Sequence, residues 1–321
     1  MADDDNHARQ RRALAHSFSQ KALLEQEYII KGYVDMLIEN LNHMSKNDQA
    51  INLNLLLNLI PKEVRQKRRN HLNFSREKVL RRLENTNAQH KDFIWYILKQ
   101  REKHDLKQDE IVVNSALFIV AGSETTANLL SGLIARLFYN KPKYDKLVHE
   151  IRSSFKTEDE LTYENLSKLP YLNACLEEGL RIHPPVPTGL LRTVPAGGDT
   201  IDGSWVPAGT SVAVSSWAAA HNPVNFRDCD SFVPERWLDE AYATDTKKAM
   251  QPFSLGPRGC IGRHLSYLEM RLILGRLLWN FDLVSTDNAW QWDPADEMKN
   301  MRAFMTWEKP DLNVKVIPVA R

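Results

Sequence analysis

The chain has 321 residues, enough to bury a core as one large domain or two modest ones. Its 42 Lys and Arg residues against 41 Asp and Glu residues give a net charge of +1, so no global field draws it to nucleic acid. Three cysteines, Cys175, Cys229 and Cys260, show no C-x-x-C spacing. The small number of cysteines and their spacing argue against a disulfide framework or a structural zinc site and fit a reducing compartment.

The chain shows no obvious targeting segment. Its first residues are acidic and polar, without the basic-then-apolar order of a signal peptide. No stretch approaches the ~20 apolar residues that a membrane span needs. The sequence as written therefore predicts a soluble protein.

The first third of the chain alternates charged residues with Leu and Ile at helical spacing. This pattern predicts helices. The expected helical stretches are Arg11 to Leu41, Leu53 to Ile60, Lys62 to Arg82, and Asp92 to Lys103.

A long helix is predicted from about Asp109 to Tyr139, and its first half is apolar nearly all round, as in a buried helix. Its centre, Ala121 to Thr126, places a glycine, a carboxylate and paired hydroxyls inside this apolar element. Threonine hydroxyls can bond to earlier carbonyls and bend a helix, and glycine can allow close packing. A purely structural interpretation of this segment therefore remains open.

The next charged and apolar stretches predict helices from Lys143 to Phe155 and from Tyr171 to Arg181. The second contains Glu178 and Arg181, three residues apart, a spacing that often gives only a weak surface pair. Alternating segments between Gly and Pro turns predict a small antiparallel sheet, and two further segments predict a terminal pair of strands. The sheet segments are Gly189 to Val194, Thr200 to Val206, and Thr210 to Ser216; the terminal pair is Arg302 to Trp307 with Leu312 to Val319.

One short loop, Gln251 to Gly262, presents Cys260 just before the predicted helix from Ile261 to Phe281. Free N–H groups and the positive dipole end at a helix start favour a thiolate. The loop glycines let the backbone approach a flat ligand closely. A lone cysteine is more often a small buried hydrophobe, so ligation and packing are both open from this residue alone.

The loop as a whole reads F-x-x-G-x-R-x-C-x-G through Phe253, Gly256, Arg258, Cys260 and Gly262. This resembles the haem-ligand signature of the cytochrome P-450 superfamily, whose fold is mainly α with a small β region. The resemblance implies haem with Cys260 as the axial thiolate, Phe253 packed over the sulfur and Arg258 paired with a propionate. Electron donation by such a thiolate favours cleavage of the O–O bond.

Two further motifs stand in the order that this superfamily uses. A-G-x-E-T-T in the long helix is similar to its oxygen-groove motif, where an opened helix leaves room for dioxygen. The resemblance implies that Gly122 supplies the room, Thr125 hydrogen-bonds the dioxygen and Glu124 relays protons. It also implies a buried structural network of Glu178 and Arg181 with Arg236.

The resemblance assigns further contacts around the haem and the substrate. Arg192 is expected to bind a propionate, and so is Arg11, for which a surface salt bridge is the alternative. The residues from Val186 to Leu190 are expected to border the substrate. The candidates for the pocket lining are Leu117, Phe118, Val186, Leu190 and Phe304.

The resemblance covers nearly the whole chain and predicts a single, partial P-450 domain. It comprises a helical body (1–183 and 261–281), a small β region with the Cys-loop meander (184–260) and a C-terminal strand pair (300–321). Family members of the filamentous-fungal microsomal type normally begin with a membrane anchor, a hinge and early strands and helices. Helices that roof the pocket also look deleted near residues 51–56, so a truncated product is expected.

The function implied is a haem-thiolate monooxygenase that inserts one atom of dioxygen into an apolar molecule of secondary metabolism. Its partners would be an NADPH-dependent cytochrome reductase, dioxygen and the apolar substrate, with no nucleic acid. Complete family members lie on the cytosolic face of the endoplasmic reticulum membrane, whereas this chain shows no anchor. The alternatives are a non-catalytic remnant, a partner-binding helical protein, or haem-thiolate chemistry that uses peroxide or a rearrangement.

Overall fold

The computed structural model describes residues 3–46, 50–57, 68–84, 91–286, 289–293 and 297–320. Helices dominate these ranges. They are α1 (Asp4–Ala15), α2 (Gln20–Ser45), α3 (Leu53–Leu57), α4 (Arg68–Glu84), α5 (Phe93–Arg101), α6 (Gln108–Phe138), α7 (Lys141–Ser154), α8 (Tyr163–Leu166), α9 (Pro170–Ile182), α10 (Ser216–Ala220), α11 (Arg263–Asn280) and α12 (Glu297–Asn300). The mainly α fold class is thus confirmed.

The starts of the early helices follow from their capping residues. The side chain of Asp3 accepts a hydrogen bond from the N–H of Asn6 at the start of α1. Ser19 caps α2 by accepting from the N–H of Ala22, and Asp92 caps α5 in the same way. A 3₁₀ turn at His16–Phe18 and the cap at Ser19 therefore divide the single helix that was predicted from Arg11 to Leu41.

The predicted helices around residue 60 are tested only in part. The predictions from Leu53 to Ile60 and from Lys62 to Arg82 extend into residues 58–67, which lie outside the described ranges. Within those ranges, α3 and α4 occupy the remaining positions. Helix α4 packs along α6, the long central helix.

The central helix α6 divides into two halves with different surroundings. From Thr126 to Leu137 nearly every side chain is buried against α9 and α11, in the main apolar core. By length and composition α6 could cross a membrane, so the expectation that no segment qualifies is wrong on that criterion. Half of its most apolar stretch is buried inside the protein, which is also typical of a core helix in a soluble protein.

The strands are short and antiparallel. Within the described ranges they are β1 (Ile51–Asn52), β2 (Arg192–Thr193), β3 (Asp199–Ile201), β4 (Ser204–Val206), β5 (Ser211–Val212), β6 (Phe281–Ser285), β7 (Arg302–Ala303), β8 (Trp307–Glu308) and β9 (Asn313–Pro318). The pairs are β2 with β5, β3 with β4, and β7 with β8, while β9 lies between β1 and β6.

Two strand predictions are wrong in detail. The segment from Thr200 to Val206 is part of a hairpin of two strands, because Asp202 and Gly203 turn the chain with φ angles of 48° and 76°. Arg302 to Trp307 does not pair with the last strand, because β7 closes on β8 within four residues. The last strand β9 instead bonds to β1 and β6 across long sequence separations.

Candidate active site

A cavity of about 670 Å³ lies between the first half of α6, the loop from Gln251 to Gly262 and the start of α11. Helix α4 and the segment around Val186 close other sides of it. Most of its lining is apolar, as in pockets for small organic molecules. The apolar lining residues include Phe18, Val79, Phe93, Ile94, Phe118, Ile119, Leu129, Leu180, Pro185, Val186, Leu190, Phe253, Ile261, Leu265 and Met270.

Backbone turns in the loop bring Cys260 to this cavity. The N–H of Cys260 donates to the carbonyl of Phe253 at 2.7 Å, and Gly259 donates to Gly256 at 2.9 Å. Gly256 and Ser254 have φ angles of 70° and 56°, the left-handed region that favours glycine. The Cys260 side chain lines the cavity and has exposed surface, whereas Cys175 is buried and packs in the core.

The charge state of Cys260 differs from the expectation that a helix start favours its thiolate. Burial raises the pKa of the Cys260 thiol above its ordinary value. A hydrogen bond from the N–H of Gly262 and the charges of Arg11 and Arg263 lower the pKa, but by less. Helix α11 begins only at Arg263, three residues after Cys260. The positive end of its dipole therefore lies beyond Gly262 and not at the sulfur itself. In the free protein, burial therefore outweighs the groups that favour the thiolate of Cys260.

The opposite part of the cavity is formed by the centre of α6. Gly122 and Thr125 both line it, and a Cβ atom built on Gly122 would meet no heavy atom within 4 Å. The Thr125 hydroxyl donates to the carbonyl of Ala121 at 2.6 Å. The helix is continuous from Gln108 to Phe138, so the expectation of an opened helix is wrong, although the space beside Gly122 is open.

Three arginines from separate segments approach the Cys loop. Arg258 lines the cavity and forms an ion pair with Asp4 at 2.5 Å. Arg11 donates to the carbonyl of Gly259 at 2.7 Å, and Arg192 donates to the hydroxyl of Ser254 at 3.2 Å. Their convergence makes this rim of the cavity cationic, which suits a ligand with acidic groups.

The family model for "Cytochrome P450" matches residues 60–312. Cytochrome P450 monooxygenase aba2 of Botryotinia fuckeliana is 40% identical over 390 positions, covering 100% of this chain and 74% of that protein. Cytochrome P450 monooxygenase efuB of Hormonema carpetanum is 38% identical over 382 positions, with coverages of 100% and 74%.

The chain belongs to the cytochrome P450 family. It is shorter than these P450 relatives, and part of the difference is internal. The alignment with aba2 runs over 390 positions although the chain has 321 residues, so the relative carries segments inside the aligned region that this P450 lacks. The segments present in this chain enclose a cavity, with α4 on one side.

The residues around the cavity of this P450 fit haem. The cavity offers one soft sulfur ligand, an apolar surround and a cationic rim at the Cys loop. A Cβ atom on Gly262 would lie 3.8 Å from the Sγ of Cys260, in van der Waals contact, so this glycine lies directly beside the sulfur. Phe253 lines the same space, with its ring 5.4 Å from that of Tyr267 and the Arg263 guanidinium 5.6 Å from its centre.

Several predicted lining residues do reach the cavity and others do not. Phe118, Val186 and Leu190 line it, whereas Leu117 and Phe304 are exposed elsewhere.

Glu124, the predicted proton relay, is also absent from the lining. Its carboxylate accepts a hydrogen bond from the Thr306 hydroxyl at 2.8 Å, because the turn between β7 and β8 supplies a donor on that side of α6.

The carboxyl group that does line the cavity is Glu269, which the sequence reasoning missed. It accepts a hydrogen bond from the Thr126 hydroxyl at 3.1 Å. Burial raises the pKa of Glu269 to about 7, although the bond from Thr126 lowers it slightly. A signal was present in the sequence, because Glu269 is a carboxylate between Leu268 and Met270, inside the apolar stretch of a buried helix.

The structure brings the predicted arginine network together. Glu178 accepts bonds from Arg181 at 2.8 and 3.0 Å and from Arg236 at 3.1 Å, and all three residues are 0% exposed. Two members were not predicted: Asp245, which pairs with Arg236, and Trp237, whose indole donates to Glu178 at 3.0 Å. The network ties α9 to the meander before the Cys loop.

Proposed function

We propose that Cys260 ligates the iron of a haem in this cavity and that the chain is a monooxygenase for an apolar small molecule of secondary metabolism. The observation that carries the proposal is that Cys260 and the segment with Gly122 and Thr125 line one cavity. They come from segments more than 130 residues apart. Packing alone gives no reason for an exposed thiol and a helix glycine with open space to share one cavity.

Haem held by a cysteine thiolate supplies the chemistry that inserts one oxygen atom into a C–H bond. In the balanced reaction, substrate, dioxygen, two electrons and two protons give the hydroxylated product and water. The apolar walls bind the substrate and exclude water from the reacting region. They contribute orientation rather than acid–base chemistry.

The arginines of the cationic rim would bind the haem. Arg258 and Arg11 would bind its propionates from two sides of the Cys loop, with Arg192 beside Ser254 as a third cation. In this arrangement Asp4 competes with a propionate for Arg258. The carboxylate of Asp4 is largely exposed, so it can turn into solvent at small cost.

Proton supply is assigned to the hydroxyl groups of α6 and to Glu269. Thr125 lines the cavity and donates its hydroxyl hydrogen to the carbonyl of Ala121, and the neighbouring Thr126 donates to the Glu269 carboxyl. A carboxyl group with a pKa near 7 can both hold and release a proton at neutral pH. Glu124 would contribute only after leaving its bond with Thr306.

The electron donor and the location belong to the same proposal. An NADPH-dependent cytochrome reductase is the expected source of the two electrons. The endoplasmic reticulum membrane is the expected site, as the resemblance implies for complete members of the family.

The test is the absorption spectrum of the ferrous carbonyl adduct of purified protein loaded with haem. Thiolate ligation shifts this band far to the red of that of a His-ligated haem, and Cys260→Ser should abolish the shift. Cys229→Ser is the matched control, because Cys229 lies away from the cavity, and it should keep the wild-type spectrum. A wild-type protein without the red-shifted band would overturn the proposal and support a non-catalytic remnant.

A further inference from the structure

Several polar residues line the cavity near the N-terminal end of α6, at a distance from the oxygen-groove motif. Ser115 lines the cavity ten residues before Thr125, which corresponds to about 15 Å along a helix axis. Lys78, Val79 and Arg82 of α4 line it as well, and α4 packs along α6. Cationic groups therefore meet the otherwise apolar lining here.

Lys78 carries a charge that no described carboxylate balances. Within the described ranges, no Asp or Glu lies within ion-pair distance of its ammonium group. Its ammonium group lies over the ring of Phe74, whose centre is 5.5 Å from Nζ. Arg82, one turn along the same helix, is bound instead by both carboxylate oxygens of Asp92, at 2.6 and 3.2 Å. The excess positive charge beside the cavity therefore comes from Lys78.

Ser115 supplies an independent observation. It is only 7% exposed, and its hydroxyl has no hydrogen-bond partner among the described residues. Serines inside a helix commonly donate to the carbonyl four residues earlier, as Ser123 does to Ile119 at 2.7 Å. A buried hydroxyl without such a bond is unfavourable, so a ligand group that accepts its hydrogen would be stabilised.

We propose that the substrate carries a carboxylate, which Lys78 binds by charge and Ser115 binds by its hydroxyl. This inference rests on the proposed function, because it specifies the substrate of the same cavity. Arg82 is already neutralised by Asp92, so Lys78 is the cation that is available to the carboxylate of the substrate. The apolar body of the substrate would lie along Phe118 and Ile119 toward Gly122, which places its oxidised carbon well away from its acidic group.

A carboxylate is favoured over a neutral polar group by the charges present. A neutral hydroxyl or carbonyl would satisfy Ser115 but would gain nothing from the charge of Lys78, which is exposed at the edge of the cavity. A cationic ligand would be repelled by Lys78. A carboxylate satisfies both sites, and charge-assisted hydrogen bonds of this kind are the stronger ones.

The experiment compares straight-chain fatty acids with their methyl esters of equal chain length, as probes of the haem-loaded protein. Binding is measured by calorimetry at neutral pH, so the readout does not depend on turnover. We expect an acid to bind at least about 10-fold more tightly than its ester, the factor that one charge-assisted bond supplies. Lys78→Gln should remove this preference, and Ser115→Ala should reduce it severalfold.

Arg76→Gln is the matched control, because Arg76 is an exposed cation on the same helix that does not line the cavity. It should keep the wild-type preference for acids. Equal binding of acid and ester, no binding of any acid, or a preference that survives Lys78→Gln would each overturn the inference. The carbonyl spectrum of the same samples reports separately on the proposed function, so the two failures are distinguishable.

Discussion

Thr126 donates its hydroxyl hydrogen to the carboxyl group of Glu269 at 3.1 Å and so joins the oxygen-groove motif to the helix that follows the Cys loop. Both residues line the cavity, as do Gly122 and Thr125. The bond therefore links two segments that carry separate family motifs in the sequence, the centre of α6 and the start of α11 after the Cys loop. It also places an ionisable group where its charge is poorly solvated.

The first prediction concerns Glu269→Gln and the dependence of stability on pH. The pKa of Glu269 is about 7 in the folded protein, against 4.5 for an unperturbed glutamate. The raised pKa means that the folded protein favours the protonated form of Glu269 more than the unfolded chain does. The stability that Glu269 contributes is therefore complete below about pH 4.5 and is lost as the pH rises through about 7. The free energy of unfolding should fall by on the order of 3 kcal/mol over this window.

Urea unfolding at several pH values measures this loss. Glu269→Gln removes the contribution, so its stability curve should be flatter than that of the wild type between pH 4.5 and 7. Glu124→Gln is a matched control on the other helix, since Glu124 lies outside the cavity lining, and it should keep the wild-type curve. Parallel curves for the wild type and Glu269→Gln would show that the carboxyl is not buried as described.

The second prediction concerns the competition between Asp4 and haem for Arg258. Asp4→Asn removes the ion pair and should raise haem affinity by about 2-fold to 5-fold, because an exposed pair is worth at most about 1 kcal/mol. Arg258→Gln should lower the affinity. Titrations of the haem-free protein, followed by quenching of tryptophan fluorescence, measure both changes.

Asp5→Asn provides the control for this pair, because Asp5 is an exposed carboxylate in the same first turn of α1. It should leave haem affinity within error of the wild type. A weaker haem complex of Asp4→Asn would contradict the assignment of Arg258 to the propionates. It would mean that Asp4 supports the site rather than competing for it.

The third prediction contrasts two glycines of α6. A Cβ atom on Gly122 would meet nothing within 4 Å, so Gly122→Ala should stabilise the helix by up to about 1 kcal/mol. A Cβ atom on Gly132 would lie 2.2 Å from the His183 ring, so Gly132→Ala should cost about 1–3 kcal/mol. Thermal unfolding of the two variants measures the opposite signs. Destabilisation by Gly122→Ala would indicate that the space beside this glycine is filled.

The fourth prediction concerns the buried arginine network. Glu178→Ala leaves the guanidinium groups of Arg181 and Arg236 buried without their shared carboxylate, and should cost about 3–5 kcal/mol. Glu77→Ala breaks an exposed pair with Arg81 and should change the stability by less than about 1 kcal/mol. Denaturant unfolding gives both values. Equal small effects would show that solvent reaches the network.

Local patterns in the sequence predict the helices and the loop motif well, because they depend on residues close in the chain. The helical period predicts α6 to within a residue or two at each end, and the turn residues of the Cys loop predict where Cys260 projects. The pairing of β9 with β1 depends on register across more than 250 residues, and local alternation carries no information about it.

The parts of the site that the sequence did not predict depend on which helices meet. Nothing near Glu269 in the chain indicates that Thr126 will reach it, because the bond forms only when α6 packs on α11. The bond between Glu124 and Thr306 could not be predicted for the same reason, since Thr306 comes from a hairpin remote in sequence. Lys78 and Ser115 line the cavity because α4 packs on α6, which residue spacing in either helix does not specify.

X-ray absorption at the iron edge of the haem-loaded protein tests the central claim most directly, because it detects the atom bound to iron. We predict one sulfur ligand at about 2.3 Å in the wild type, within the range of metal–thiolate bonds, and its loss in Cys260→Ser. A first shell of nitrogen and oxygen alone in the wild type, or a sulfur that persists in Cys260→Ser, would contradict the assignment of Cys260 as the haem ligand.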